Sequence, residues 1–196
     1  MKRELAIQGH AFRLRPVVDS DAQLIVALRT DKKINRYLHS TSARVDDQLD
    51  WLSAYYSRSG DYYFAVESMF GMTEGFISIY DVDSVDSVAE WGRWILRPGS
   101  LAAVESVFLV YRVAFELLRL RAVFCRTVFN NRSVVSFHDS CGVSSRKLLK
   151  GFFRIGGSAT DAVEHRLSIE NWMQIRGRMD DLSGAIARRI LNARPQ

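Results

Sequence analysis

In Trp94-Ile95-Leu96-Arg97-Pro98-Gly99-Ser100-Leu101-Ala102-Ala103, a run of β-forming residues that begins at Ala89 stops at a turn and passes straight into a helix. Val104, Val107, Phe108, Tyr111, Ala114, Phe115 and Leu118 mark that helix, recurring at the i, i+3, i+4, i+7 spacing of one face. A strand that runs into a helix N-terminus presents unpaired backbone N–H groups at the positive end of the helix dipole. Small residues at Gly99, Ser100, Ala102 and Ala103 let an anion such as a pyrophosphate approach that backbone. A tight connection with ordinary capping by Ser100 accounts for the same residues. The stretch therefore predicts a strand–turn–helix and leaves its chemistry open.

Working outward, Ala122 to Phe129 is rich in β-formers, and the unit 89–129 reads as a right-handed parallel crossover. Upstream, Phe12 to Pro16 alternates as a strand, and Asp19 caps a helix through Arg29 with Leu24, Ile25 and Leu28 on one face. A second helix runs from Val45 to Tyr56. Tyr62 to Val66 and Phe76 to Tyr80 are neighbouring strands joined across Gly71 and Gly75, followed by the polar connection Asp81 to Ser87. Downstream, Ser133 to Cys141 is a short helix closed by Gly142. Leu148 to Ile155 and Ala162 to Ile169 are strands around a Gly156-Gly157 turn. The tail from Glu170 to Ala193 reads as helical, broken near Asp180-Asp181, with Leu182, Ile186 and Ile190 lining one side. Such a stripe docks on the domain or on a second subunit, which makes a homodimer one way to cover it. The order β-α-α-β-β-β-α-β-α-β-β, then helix, predicts an α/β (α+β) domain over residues 1–172 with a helical appendage over 173–196. Its sheet should be mixed, mostly antiparallel and twisted, with about six to seven strands and helices on both faces.

The 196 residues are 47% hydrophobic and 25% charged, which suits a soluble globular domain with a sizeable core. Arg or Glu interrupts the longest apolar runs, so none reaches the roughly 18 apolar residues of a membrane span. Met1-Lys2-Arg3-Glu4-Leu5 has neither the apolar stretch nor the cleavage site of a signal peptide, and a cytoplasmic location is expected. Cys125 and Cys141 lack metal-ligand spacing and read as two reduced, buried thiols. The net charge of +5 suits a phosphorylated ligand or nucleic acid. The arginines are scattered and sit in no recognised nucleic-acid motif, which disfavours the latter.

A second informative stretch follows the strand at 122–129. Asn130-x-x-Ser133, then Phe137-His138-x-x-Cys141-Gly142, resembles the N-x-x-S-x-x-x-(Y/F)-E-K-x-G-F signature that closes the cofactor site of the GNAT N-acetyltransferase superfamily. Val113-Ala114-Phe115-Glu116-Leu117-Leu118-Arg119-Leu120 is similar to the family helix written Y-A-F-E-x-L-x-L, and residues 12–172 follow the family's element order. The resemblance extends to the ribosomal-protein N-terminal acetyltransferases and to the N-acetyltransferases of nucleotide-linked aminosugars. Arg29-Thr30-Asp31 through Tyr37-Leu38, then Asp47 through Trp51-Leu52, is similar to the latter.

The resemblance implies a single GNAT fold, acetyl-CoA as acyl donor, a small-molecule amine as acceptor and no metal. It places the donor against Trp94, Ile95, Leu96, Gly99, Ser100, Leu101, Ala102, Ala103, Asn130, Ser133 and Phe137. Two positions depart from the family pattern. The phosphate loop (R/Q)-x-x-G-x-(G/A) falls on Pro98, Leu101 and Ala103, of which only the last matches. The tyrosine that many relatives use as acid falls at Phe137, with His138 in place of the usual Glu.

Acyl transfer to an amine needs a free amine, a polarised thioester carbonyl and a proton for the thiolate. The backbone around Trp94 to Leu96 is implied as the polarising group. Glu90, on the same strand and in alternation sharing a face with Gly92, Trp94 and Leu96, is the candidate base; a solvated strand-end Glu is the plainer alternative. His138 titrates near neutrality as a free side chain and is a candidate acid or base, although a packed histidine reads the same way. Lys32, Lys33 and Arg36, in the segment that covers the acceptor cleft in relatives, offer charges for a nucleotide's phosphates or form an exposed basic turn. An aminosugar acceptor, a protein N-terminus and a degenerate domain that only binds acyl-CoA or a partner all remain open.

Overall fold

Residues 5–143 and 145–192 are described by a computed structural model; the opening Met1–Glu4 stretch and Ala193 lie outside them. Along the chain come β1 (Ile7–Gln8), β2 (Phe12–Pro16), a 3-10 turn (Asp19–Asp21), α1 (Ala22–Thr30), α2 (Val45–Tyr56), β3 (Tyr62–Ser68), β4 (Thr73–Asp83) and β5 (Val88–Leu96). Then follow α3 (Ala103–Arg112), continued by a π-helical turn (Val113–Leu117), β6 (Ala122–Val128), α4 (Arg132–Ser140), β7 (Ser145–Ile155), β8 (Ser158–Ser168) and α5 (Ile169–Asn192). The strands form one open sheet in the order β1-β2-β3-β4-β5-β6-β8-β7. This is the mixed α/β architecture of the GNAT fold, with β1 as an edge strand too short to show as a period in the sequence.

The neighbouring pairs are antiparallel except β5 and β6, which run parallel through only Val88↔Ala122, Ala89↔Val123 and Glu90↔Phe124. Beyond Glu90 the two strands part. β5 stays with β4 as far as Gly75↔Leu96, while β6 follows β8 as far as Val128↔Ala162. A wedge therefore opens in the middle of the sheet.

Helices cover both faces. On one, Ile25 and Leu28 of α1 and Leu52 and Tyr55 of α2 pack on Tyr63, Ala65, Phe76 and Ile95. On the other, Phe108, Leu109 and Phe115 pack with Trp172 of α5 on Leu14, Phe64, Val66, Ile77, Ile79 and Trp91. Tyr63, Phe64, Ala65 and Val66 alternate between these two cores, so β3 is apolar on both sides, as a central strand must be. Glu105, in the first turn of α3 and 1% exposed, turns away from the helix end. Its carboxylate accepts the backbone N–H groups of His10, Ala11 and Phe12 and so fastens the chain start to α3.

Three expectations need correction. Asp19 does not open α1. Residues 19–21 form a 3-10 turn because the Asp21 carboxylate is held by Arg15 at 2.7 and 2.8 Å and accepts Val18 N–H at 2.9 Å. The tail is not broken at Asp180-Asp181. The helix runs through, and Asp180 sits 2.8 Å from His10 Nε2. Of the stripe Leu182–Ile186–Ile190, Ile190 packs against the core and Ile186 is half-buried, but the stripe is not the centre of the docking face. Leu182 is exposed, whereas Met179, Ser183, Gly184 and Ala187 are buried, because close helix–helix approach favours small side chains. No described helix is long and apolar enough to cross a membrane.

Phe108 and Phe115 are both buried, as the helical period predicts, and both meet Trp172, at ring-centre distances of 5.9 and 5.7 Å. Phe115→Ala removes a ring stacked on Trp172 and should lower stability by about 3–5 kcal/mol in denaturant melts. A loss below about 1 kcal/mol would mean that α5 does not dock on this face.

Candidate active site

The wedge exists because of an irregularity in β5. Phe76 pairs with Ile95 and Ser78 with Gly92, so between them one residue of β4, Ile77, faces two of β5, Arg93 and Trp94. The extra residue makes a β-bulge at Arg93-Trp94, and Arg93 has a positive φ of 47°. A non-glycine residue in the left-handed region is held there only by its surroundings. Here the guanidinium forms a two-pronged ion pair with Asp61, at 2.6 and 3.1 Å, and lies over the rings of Tyr80, Trp51 and Tyr63. Ser78 Oγ donates to the Gly92 carbonyl at 3.0 Å and fixes the other side of the bulge.

The bulge changes which side chains share a face. The expected alternation Glu90–Gly92–Trp94–Leu96 fails at Arg93. Trp94 and Leu96 pack toward the α3 core with Trp91, while Ile95 joins the α1–α2 core. Trp94 Nε1 donates to Ser106 Oγ on α3 at 3.2 Å, and its ring lies 5.1 Å from that of Phe137. β5 thus runs past the parting of the sheet with an unpaired backbone edge at the opening, where Trp91 and Trp94 also line the cavity.

A cavity of about 810 Å³ occupies the wedge and continues toward α1 and α2. Of the expected site residues, Glu90, Trp94, Ile95, Leu96, Ala103 and His138 line it. Gly99, Ser100 and Leu101 instead lie on a separate shallow hollow with Phe12, Phe70 and Ile190, and Ala102 is fully buried. Asn130 and Ser133 are exposed, and Asn131, the residue that precedes α4, lines the cavity with Val134. Ser133 Oγ donates to Asn131 Oδ1 at 3.1 Å. Trp51, in the stretch similar to the aminosugar acetyltransferases, lines the cavity, as do Gln48, Tyr63, Tyr80, Arg93, Arg126 and Phe153, which no motif marks as site residues.

The residues present suit an acyl-CoA. Ser100 Oγ accepts the Ala102 N–H at 3.2 Å just before α3; beyond it Ala102 offers no side-chain cap and Glu105 is engaged elsewhere, which leaves the N–H groups of the first turn to an anion. Ala103, beside them, has no side chain beyond a methyl to fill the space. The unpaired edge of β5 past Glu90 offers backbone to a pantetheine-like chain, in the way an extended strand would pair.

Glu90 sits at the point where the strands part. Arg126 Nη1 donates to it at 2.8 Å and also binds Glu164 through Nε at 2.9 Å, and the Tyr80 hydroxyl donates to it. Burial pushes the Glu90 carboxyl above the usual carboxylate range, with Arg126 and Tyr80 pulling the other way. Gly92 leaves room for Tyr80, since a Cβ there would meet the hydroxyl at 2.8 Å.

His138 differs from expectation in its ionisation. It is 2% exposed among Trp91, Trp94, Phe137 and His165, and its Nδ1 has no hydrogen-bond partner. Burial, with the nearby His165 adding to it, pushes the imidazole down to about 3. It does not titrate near neutrality and is uncharged at pH 7. Cys125 and Cys141 are buried and unbridged. Among the described residues no group of His, Cys, Asp and Glu is arranged to hold a metal ion.

No curated protein matches the chain. Among solved structures, the spermidine N-acetyltransferase of Vibrio cholerae in complex with CoA and spermine aligns with a TM-score of 0.76 at 18% identity, over 83% of this chain and 98% of that one. Apo FdhC, a nucleotide-linked sugar GNAT, aligns with a TM-score of 0.72 at 24% identity, over 89% of this chain and 96% of that one. At these identities the likeness is one of fold. The sequence itself matches the model of the acetyltransferase (GNAT) domain over residues 12–144, from β2 through α4, the span that builds both sides of the wedge. The chain therefore belongs to the GNAT acetyltransferases, enzymes that transfer an acetyl group from acetyl-CoA to an amine.

Proposed function

We infer that this N-acetyltransferase acts on the amine of a nucleotide-linked aminosugar, and that Glu90 is its base. The observation that carries the reading is the charge of the cavity wall. Four arginines, Arg29, Arg58, Arg93 and Arg126, line it against one carboxylate, Glu90. Arg93 and Arg126 are paired with Asp61, Glu90 and Glu164, so the charge left to face an acceptor includes that of Arg29, which would repel a polycation such as the spermine of the Vibrio cholerae complex and attract a phosphate-bearing acceptor. Lys32, Lys33 and Arg36 lie on the segment between α1 and α2 whose Ile34, Tyr37, Leu38 and Thr41 form the cavity rim, and they add positive charge near the entrance.

Acetyl-CoA, when bound, supplies an activated acyl carbon; the remaining chemistry belongs to the chain. The α3 N-terminus around Ala103 receives the pyrophosphate, and the β5 backbone at Trp94–Leu96 orients and polarises the thioester carbonyl. Glu90 takes a proton from the acceptor ammonium, directly or through one water; as the free amine forms the new C–N bond and the C–S bond breaks, the second proton shed by the amine neutralises the departing thiolate. Its raised pKa makes it a better match for that proton than a solvent-exposed carboxylate. His138, neutral and packed on Trp94, positions that ring and offers a hydrogen bond to the cavity rather than a charge.

Two measurements test this reading. A panel of amines assayed with acetyl-CoA should show kcat/KM for a nucleotide-linked aminosugar exceeding that for spermidine and for a peptide N-terminus by at least about tenfold; preference for spermidine would overturn it. For the base, the rate should rise with pH through the elevated Glu90 pKa, because only the ionised carboxylate accepts a proton. It should fall as pH drops below that value. Glu90→Gln should lose that limb and about 10²-fold in turnover while still binding acetyl-CoA. A Gln variant with the wild-type rate and profile would remove Glu90 from the chemistry.

A further inference from the structure

The cavity wall between α1, α2 and β3 holds three polar side chains with unused hydrogen-bonding capacity. Arg29, on the last turn of α1, spends Nε on Thr41 Oγ1 at 2.8 Å, and among the described residues no carboxylate pairs with it. Tyr63 of β3 is 3% exposed and lines the cavity, yet its hydroxyl has no hydrogen-bond partner among the described residues. Gln48 of α2 is 8% exposed, lines the same cavity and likewise has no side-chain partner there.

The neighbouring arginines differ from Arg29. Arg93 is matched by Asp61, and Arg126 by Glu90 and Glu164, so their charges are already answered inside the protein. Arg29 alone among these three is left uncompensated. The Tyr63 hydroxyl and the Gln48 amide open onto the cavity rather than being sealed from it, so they and the Arg29 guanidinium are available to a ligand there. Aromatic packing fixes the wall on which they sit. Trp51, one turn beyond Gln48 on α2, meets the Tyr63 ring edge-on at 5.9 Å, and Tyr63 packs on Phe76. Burial pushes the Tyr63 phenol up, with Arg29 pulling against it, so the hydroxyl stays protonated as a donor within reach of the Arg29 field.

We propose that Arg29, Tyr63 and Gln48 form an oxyanion-reading subsite that holds a phosphate or carboxylate of the acceptor and so orients its amine toward Glu90. All three supply donors: the planar guanidinium fork suits two oxygens of one anion, and the phenol and amide complete its shell. Thr41 contributes by fixing the plane of the fork, which links the subsite to the segment that rims the cavity. The subsite rests on the reading of the cavity as the acceptor site, and it does not depend on the acceptor being a nucleotide sugar.

The test uses three acceptors in steady-state assays: an aminosugar bearing a phosphate, the same aminosugar without it, and an amino-sugar uronic acid carrying a carboxylate. The wild type should favour the anionic acceptors. Arg29→Gln and Tyr63→Phe, which keep the packing, should each lower kcat/KM for at least one anionic acceptor by about 10- to 100-fold and change it little for the neutral one. Whichever anion shows the larger loss identifies the group that is read. With CoA saturating, so that the α3 N-terminus is filled, inorganic phosphate or acetate should bind the wild type and compete with the amine, and Arg29→Gln should abolish that binding. Unchanged melting temperature and CoA affinity would confirm that each variant is folded. Equal losses for charged and neutral acceptors, or anion binding that survives Arg29→Gln, would overturn the subsite. If nucleotide-linked aminosugars are not turned over while other anionic amines are, in an Arg29-dependent way, the subsite stands and the acceptor proposed above falls.

Discussion

The bulge at Arg93 is the constraint on which the rest of the structure depends. A left-handed backbone at a non-glycine residue costs about 1–3 kcal/mol, and this one is retained because its side chain is held from several sides. The carboxylate of Asp61 is largely buried, so losing either member of the Arg93–Asp61 pair would leave a charge without its partner. The rings of Tyr80, Trp51 and Tyr63, each facing the guanidinium, hold it in place. With the bulge fixed, β5 leaves β6 after three pairs, the sheet opens, and unpaired backbone faces a cavity instead of a neighbouring strand. The cofactor side and the acceptor side both follow from that one local departure from regular pairing.

The two sides of the wedge are built differently. In the proposed arrangement the donor side relies on backbone: the start of α3 and an unpaired strand edge would read a pyrophosphate and a pantetheine chain by general geometry. This explains how Leu101 and Pro98 can stand where relatives carry Gly and Arg or Gln, since backbone N–H groups do not depend on side-chain identity. The acceptor side relies on side chains, and its chemistry is set by arginines and aromatic rings. Arg93 belongs to both sides, shaping the strand with its backbone and the acceptor wall with its guanidinium.

Much of the fold was legible in the sequence, and the reasons are local. α2 spans Val45–Tyr56 as read, and β2 and β6 fall within a residue of expectation, because helical and two-residue periods are properties of a short stretch. The phase of β5 was not legible beyond Gly92. A bulge is defined against the partner strand, and Trp94 and Leu96 look like continued alternation until β4 is laid beside them. The inward face of α5 was also misread, since Ser183, Gly184 and Ala187 carry little hydrophobic signal and are buried for their small size. Glu90 and His138 were identified as cavity residues, but the neutrality of His138 comes from Trp91, Trp94 and His165, which only the fold brings around it. Gln48 and Tyr63 could not be singled out, because which polar groups open onto the cavity is set by elements that only the fold brings together.

Amide hydrogen exchange with and without CoA tests most directly whether the opened strand and the start of α3 form the donor site. On binding, the amides of Trp94–Leu96 on β5 and of Ala103–Glu105 at the start of α3 should gain protection together, while those of β2 and β3 stay unchanged. Saturating CoA that protects neither segment, or protects the hollow at Gly99–Leu101 and Phe70 instead, would contradict the account.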